Sequence, residues 1–349
     1  MARPLRPYRA PRWLRNAHVM TVFAWGRPRR FRALPRPERR EFRTEAHTTV
    51  VAACHWQPDR AAHATLLLLH GLEGSSDAHY MRGIADKAWR AGMNVVRLNQ
   101  RNCGGTEHLT PGLYHSGLTT DPRAVLAELV EQDRLPAIVL AGYSMGGNVL
   151  LRLAGEFGDA APPQLKGVAA VSPVIDLAAC VEAIERRGNW IYQWNFMRNL
   201  RARMRRKAKA FPDAFDLAPL ARLRTIRGFD DTYTAPHHGF GDAANYYYQA
   251  SALRLIDRIR IPTLIISAAD DPFVPPSIFD APEVRNNPAI RVELLPHGGH
   301  GGFIGRRAAD DDGYWAESAI VQFAKSSSRN STDDAFAQQM RGPSLTPRA

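Results

Sequence analysis

One serine sits between glycines in "VLAGYSMGGNVLLRLAG", residues 139–155, where Gly142, Ser144 and Gly146 form a G-x-S-x-G pattern. A serine hydroxyl attacks a carbonyl only with help. It needs a base to take its proton, an acid to orient that base, and N–H donors for the developing oxyanion. By composition alone such a five-residue pattern arises in roughly one chain in ten of this length. The order of the remaining candidates therefore carries more weight than the pattern itself. "PTLIISAADDPFVPP" offers Asp270 and Asp271, and "IRVELLPHGGHGGF" offers His297 and His300, each pair just past an apolar run. That order of serine, acid and base along the chain suits acyl-transfer chemistry on a strand-to-helix turn. Met145 would give one oxyanion N–H from the first turn of its helix. "LLLLHGLEGSS" upstream would give the other from Leu72, with Gly71 and Gly74 letting the loop turn. Such donors are worth roughly 3–4 kcal/mol of transition-state stabilisation each. His70 reads as a histidine hydrogen-bonded within that loop and not as a proton carrier.

These residues need a frame. Apolar runs of strand length recur as "VVAACHW", "ATLLLLH", "NVVRLN", "AIVLAGY", "GVAAVSPV", "PTLIISA" and "IRVELLP". Helix-length segments at 77–91, 121–133 and 145–158 lie between several of them, with Asp121 expected to cap the second and Pro122 to open it. Strands alternating with helices predict an α/β fold with a mostly parallel twisted sheet covered on both faces. The alternation stops after Val174 for about 85 residues, so a helical cap is expected at about 176–258, inserted before the last two strands. Residues 1–45, rich in Pro and Arg, read as a basic arm, 46–325 as the catalytic domain, and 326–349 as a polar disordered tail.

The 349 residues, 45% apolar, suffice for one large core. Three scattered cysteines support no disulfide framework, and no run approaches a membrane span, so the expectation is a cytoplasmic protein. The net charge of +12 invites a nucleic-acid reading, but its distribution argues against one. Residues 1–43 carry +11 and residues 197–209 carry +7, which leaves the remainder at −6. No H-E-x-x-H or Cys/His pattern points to a metal, and no cofactor is expected.

The motifs also carry a family resemblance. "HGLEGSSDAHYMRGIA", "RLNQRNCGGTE", "LYHSGLTTD", "GYSMGGNVLL", "FDDTYTAPHHGFGDAANYYYQAS", "AADDPFVP" and "HGGHGGFIG", together with "YRAPRWLRNAHVMT" at the start, resemble the α/β-hydrolase family over roughly residues 8–325. They are closest to its YheT-like branch, which includes eukaryotic ABHD-type lipid esterases. The resemblance implies the α/β-hydrolase fold and a serine esterase of acyl or lipid esters. By the D-x-x-x-P spacing to Pro275 it maps the acid to Asp271, and it maps the base to His300, giving a Ser144, Asp271, His300 triad. An acyltransferase moving the acyl group to an alcohol uses the same triad and stays open, as does a non-catalytic lipid-binding module. The H-x-x-x-x-D acyltransferase signature is off by one residue between His115 and Asp121.

In "MRNLRARMRRKAKAF" the positions Met197, Leu200, Met204, Ala208 and Phe211 form one helical stripe. The basic remainder is read as a solvated face or as a surface for anionic membrane. Trp190, Ile191, Trp194 and Phe196 either line an acyl pocket or pack the cap on the core.

Overall fold

In the computed structural model, which describes residues 7–307 and 311–329, one eight-stranded sheet organises the chain. Its strands are β1 (Glu38–Glu45), β2 (Thr48–His55), β3 (Thr65–Leu69), β4 (Asn94–Leu98), β5 (Ile138–Tyr143), β6 (Leu165–Val171), β7 (Thr263–Ala268) and β8 (Ile290–Leu295). They run in the order β1-β2-β4-β3-β5-β6-β7-β8. Pairing is antiparallel from β1 to β2 and from β2 to β4, and parallel from there to β8. Strands β3 to β7 are covered on both faces, which is why their sequences are mostly apolar, with Arg97 of β4 and Lys166 of β6 as the charged exceptions. Alternate residues of β3 serve opposite cores: Leu66 and Leu68 join one cluster, Leu67 and Leu69 the other.

β1 lies within the segment expected to be an arm, and instead closes the edge of the sheet. Its sequence, "ERREFRTE", buries only Phe42, and Arg40 reaches Glu128 at 2.6 Å and Asp133 at 2.5 Å. A solvent-facing edge strand needs no apolar run, so none announces it. The helix α1 (Ala17–Gly26) also lies within the supposed arm, capped by Asn16, whose side chain accepts from the His18 and Val19 N–H groups.

Helices α2 (His79–Arg90), α3 (Thr120–Glu131) and α4 (Met145–Phe157) fall on the expected segments. Asp121, however, does not cap α3; Thr119 holds that position. The Asp121 carboxylate accepts from Arg101 Nε at 2.6 Å and from Thr44 Oγ1 at 2.6 Å. A buried arginine is the stronger partner for a buried carboxylate than the helix's own N–H groups.

Between β6 and β7 lie α5 (Leu177–Glu185), α6 (Trp190–Ala210) and a helix at Ala243–Ala250. Met197, Leu200 and Met204 of α6 are buried as the stripe predicts, while Ala208 and Phe211 are half-buried. The basic side of α6 is less solvated than expected. Arg203 and Lys207 are buried, Arg206 pairs with Glu107 at 2.6 Å, and Arg201 donates to the Leu223 carbonyl. Lys207 donates to the Glu107 and Thr110 carbonyls, and burial pulls its pKa down to about 8. The last helix, Trp315–Arg329, extends into the segment read as a disordered tail, and residues 330–349 lie outside the described residues. Among the described residues no helix is long and apolar enough to cross a membrane.

Candidate active site

Ser144 stands between the end of β5 and the first turn of α4 at φ 52° and ψ −119°. Only a few residue types adopt such a conformation readily, and holding a serine there costs about 1–3 kcal/mol. The neighbours impose it. Ser144 N–H donates to the Val171 carbonyl of β6 at 2.8 Å, and Asn148 N–H donates to the Ser144 carbonyl at 3.1 Å. The crossing is also too tight for side chains. A Cβ on Gly142 would lie 2.6 Å from the Gly146 carbonyl carbon, and one on Gly146 would lie 2.5 Å from the Leu69 carbonyl oxygen. The glycines that flank the serine are thus required by close approach of backbone.

The loop after β3 runs alongside. His70 is fully buried, its Nδ1 2.8 Å from the Gly71 carbonyl, and its Nε2 accepts the Gln100 N–H at 3.1 Å. Burial drops its pKa to about 4, which favours the neutral ring, and both ring nitrogens are held by the loop and Gln100. Gly71 N–H donates to Tyr80 Oη at 3.0 Å, and Glu73 N–H donates to Tyr114 Oη at 3.0 Å. Neither Leu72 N–H nor Met145 N–H has a hydrogen-bond partner among the described residues.

Glu73 is a residue that sequence reasoning missed. Its backbone is at φ 56°, and its carboxylate accepts from Tyr114 Oη at 2.9 Å and pairs with Arg203 Nε of α6 at 2.7 Å. Burial opposes the Arg203 charge, but the adjacent Glu73 carboxylate more than offsets it and keeps the guanidinium above its ordinary pKa. The insertion between β6 and β7 therefore grips the loop that carries Leu72. No local pattern signals this, because a cation on a helix and an acid in a loop 130 residues earlier each look solvent-bound.

Past β7 and β8 the structure sorts the two acids and two histidines into two pairs. Asp271 has no side-chain exposure and lies with both carboxylate oxygens at 3.0–3.1 Å from His300 Nδ1. Its Oδ1 also accepts the Phe273 and Val274 N–H groups at 2.9 and 3.1 Å. Asp270 accepts the Gly298 and Gly299 N–H groups, both at 2.9 Å, and faces His297 Nδ1 at 3.3 Å. The supposed arm also reaches the site: His300 N–H donates to Thr21 Oγ1 of α1 at 2.9 Å.

Two cavities meet at Leu72, Ser144, Phe196, Phe273 and His300. The inner one, about 100 Å³, lies under the insertion and is walled largely by aliphatic and aromatic side chains such as Val181, Leu200 and Phe229. The outer cleft, about 700 Å³, runs between α1 and the first turns of α6. Ile191, Trp194 and Phe196 line it, so these three form a wall and are not core packing alone, whereas Trp190 lines neither cavity and is exposed. His115 lines the inner cavity, whereas Asp121 is committed to Arg101, so the near-match to an acyltransferase signature does not bring these two together.

A family model described as alpha/beta hydrolase fold matches residues 64–306. The chain is 37% identical over 266 residues to the candidate esterase YheT of Escherichia coli (strain K12), covering 75% of this chain and 77% of that one. It is 30% identical over 247 residues to phospholipase ABHD3 of Mus musculus, covering 70% of this chain; the match spans 60% of that relative's length. A solved structure of Pyrococcus furiosus esterase Pf2001 superposes with a TM-score of 0.54 at 17% identity, covering 83% of this chain and 92% of that one. At that identity the superposition speaks to fold alone.

Proposed function

The chain belongs to the α/β-hydrolase family, on its YheT-like branch, and is a carboxylic ester hydrolase; from that premise we propose that Ser144, His300 and Asp271 cleave acyl or lipid esters through an acyl-enzyme. One observation carries the proposal: Ser144, the Asp271-paired His300 and two unpartnered backbone N–H groups lie together where two cavities join.

His300 Nε2 takes the proton of Ser144 Oγ as that oxygen bonds to the ester carbonyl carbon. Asp271, holding Nδ1–H, fixes the tautomer and stabilises the imidazolium. The carbonyl oxygen becomes an oxyanion that accepts the Leu72 and Met145 N–H groups. Collapse breaks the bond to the alcohol oxygen, which leaves with the proton from His300. Water then enters, gives a proton to His300 as its oxygen bonds to the acyl carbon, and collapse breaks the bond to Ser144 Oγ, which takes that proton back from His300 as the acid leaves. The apolar inner cavity receives the acyl chain, and the wider cleft admits the alcohol or headgroup. Similarity to a phospholipase supports a lipid ester as substrate. The reading includes a cytoplasmic protein in peripheral contact with anionic membrane.

Labelling with a fluorophosphonate probe and hydrolysis of p-nitrophenyl butyrate test it. Ser144→Ala should abolish labelling and lower turnover roughly 10⁴–10⁶-fold. Retention of activity within about tenfold overturns the assignment. Repeating the assay with ethanol present separates hydrolysis from acyl transfer: butyric acid as the main product supports water as acceptor, and ethyl butyrate supports an alcohol.

A further inference from the structure

Nine large apolar side chains are exposed among the described residues, and seven of them sit on two neighbouring elements. Trp13, Val19, Val22 and Trp25 belong to α1 and the turn before it, with Trp25 73% exposed. Trp190, Ile191 and Trp194 occupy the first turns of α6. On α1, Val19, Val22 and Trp25 recur every three residues and share one face. The two elements touch: His18 Nδ1 lies 3.1 Å from Tyr192 Oη, and the rings stack at 5.7 Å. Val22 and Trp25 line the outer cleft from one side, Ile191 and Trp194 from the other. The exposed ridges are therefore the two lips of the opening that leads to Ser144.

The two segments that form these lips carry charge of one sign, and Glu73, the acid that lines the cleft floor, is paired with Arg203. No acidic residue occurs from 7 to 37 or from 186 to 210. Arg12, Arg15, Arg186, Arg187 and Arg198 are exposed beside the aromatic rings, and the Arg198 guanidinium lies 5.2 Å from the Trp194 ring centroid. Tryptophan flanked by arginine suits the boundary between lipid chains and anionic headgroups. A second copy of the chain fits poorly, because a two-fold contact through this face would set the arginine clusters against each other.

We propose that the lips of the outer cleft, α1 with its preceding turn and the first turns of α6, dock on an anionic lipid surface, so that an ester passes from lipid into the cleft without crossing bulk water. This rests on the lipid-ester reading of the site and adds where, and in what orientation, the molecule meets its substrate. It also relocates the expected basic membrane face. The inward-facing cations of α6 lie in its second half, while the docking face is formed by its first turns together with α1.

The test uses the full chain carrying Ser144→Ala, so that binding is measured without turnover. The probe is vesicles of phosphatidylcholine with or without phosphatidylglycerol, read by co-sedimentation and by tryptophan emission. Binding to the phosphatidylglycerol vesicles with a blue shift is expected, falling as salt rises. Adding Trp13→Ser, Val19→Ser and Trp190→Ser, none of which lines the cleft, should weaken binding about tenfold or more. The same three changes with Ser144 intact should leave p-nitrophenyl butyrate hydrolysis within about twofold, which also shows that the variant folds. Absence of vesicle binding, or equal binding by the variant, overturns the docking face while leaving the esterase reading standing. A concentration-dependent dimer that the three changes abolish would assign the face to a second copy and likewise overturn it. Vesicle binding by a chain with no esterase activity would instead remove the catalytic reading and keep the lipid contact.

Discussion

Asp271 with His300 and Asp270 with His297 are two acid–histidine pairs one residue apart on one side and three on the other. In composition they are the same. They differ in burial and in what else each carboxylate holds. The Asp271 side chain is wholly enclosed, and Asp270 is 21% exposed. Asp271 spends its extra hydrogen bonds on Phe273 and Val274, just downstream of itself, which fixes its own position under the His300 ring. Asp270 spends both of its own on Gly298 and Gly299, the backbone that leads to His300. Phe273 then packs against His300 with ring centroids 4.6 Å apart. One pair thus fits the role of proton machinery and the other fits that of a clasp on the loop carrying it. Residue type does not separate such roles; the direction of the second hydrogen bond does.

The sharpest way to break that distinction is to remove one charge at a time. Asp271→Asn keeps the shape and the acceptor for Phe273 and Val274 but no longer favours the Nδ1–H tautomer of His300. Turnover of p-nitrophenyl butyrate should fall about 10³–10⁴-fold with KM little changed. If Asp270→Asn causes the larger loss instead, the two roles are exchanged. Asp270→Ala probes the clasp. It leaves two backbone donors without their acceptor and should cost about 1–3 kcal/mol of stability, read as a lowered Tm. Activity should fall by roughly tenfold as His300 loses its placement, and Asp270→Asn, which still offers an oxygen to both glycines, should recover most of it.

How far the sequence could have shown this is uneven, for physical reasons. Strands β3 to β7 were legible because burial on both faces demands apolar residues. β1 was not, because its one buried side chain, Phe42, sits among charges that face water or α3. The order of Ser144, the Asp270–Asp271 pair and the two histidines was legible from their places after strands. The choice of Asp271 and His300 rested on spacing to Pro275 and on resemblance; in the structure these two side chains lie within hydrogen-bond distance of each other. The second layer was hidden. Thr21, Glu73, Tyr114 and Arg203 act across long separations, so no local period carries them. Arg203 also looks like a solvent cation until Glu73 is found beside it. The segment read as a basic arm rich in proline and arginine likewise holds α1, whose Thr21 supports the His300 loop.

His297 gives the smallest expected effect and the most exacting test of the comparison. Its ring is 37% exposed and sits 3.3 Å from Asp270, at the long end of hydrogen-bond range. A pair this open to water is worth little, about 0–1 kcal/mol, because solvent screens the charges and holding two side chains together costs entropy. Asp270 would still be satisfied by Gly298 and Gly299 after the ring is gone. His297→Gln should therefore leave turnover within about twofold and Tm within a degree or two, measured beside His300→Gln, which should lose turnover by roughly 10⁴-fold or more. A loss at His297 approaching that at His300 would mean that both histidines handle protons. The clasp would then be a second, coupled half of the same machinery, and burial would no longer be the property that distinguishes the two pairs.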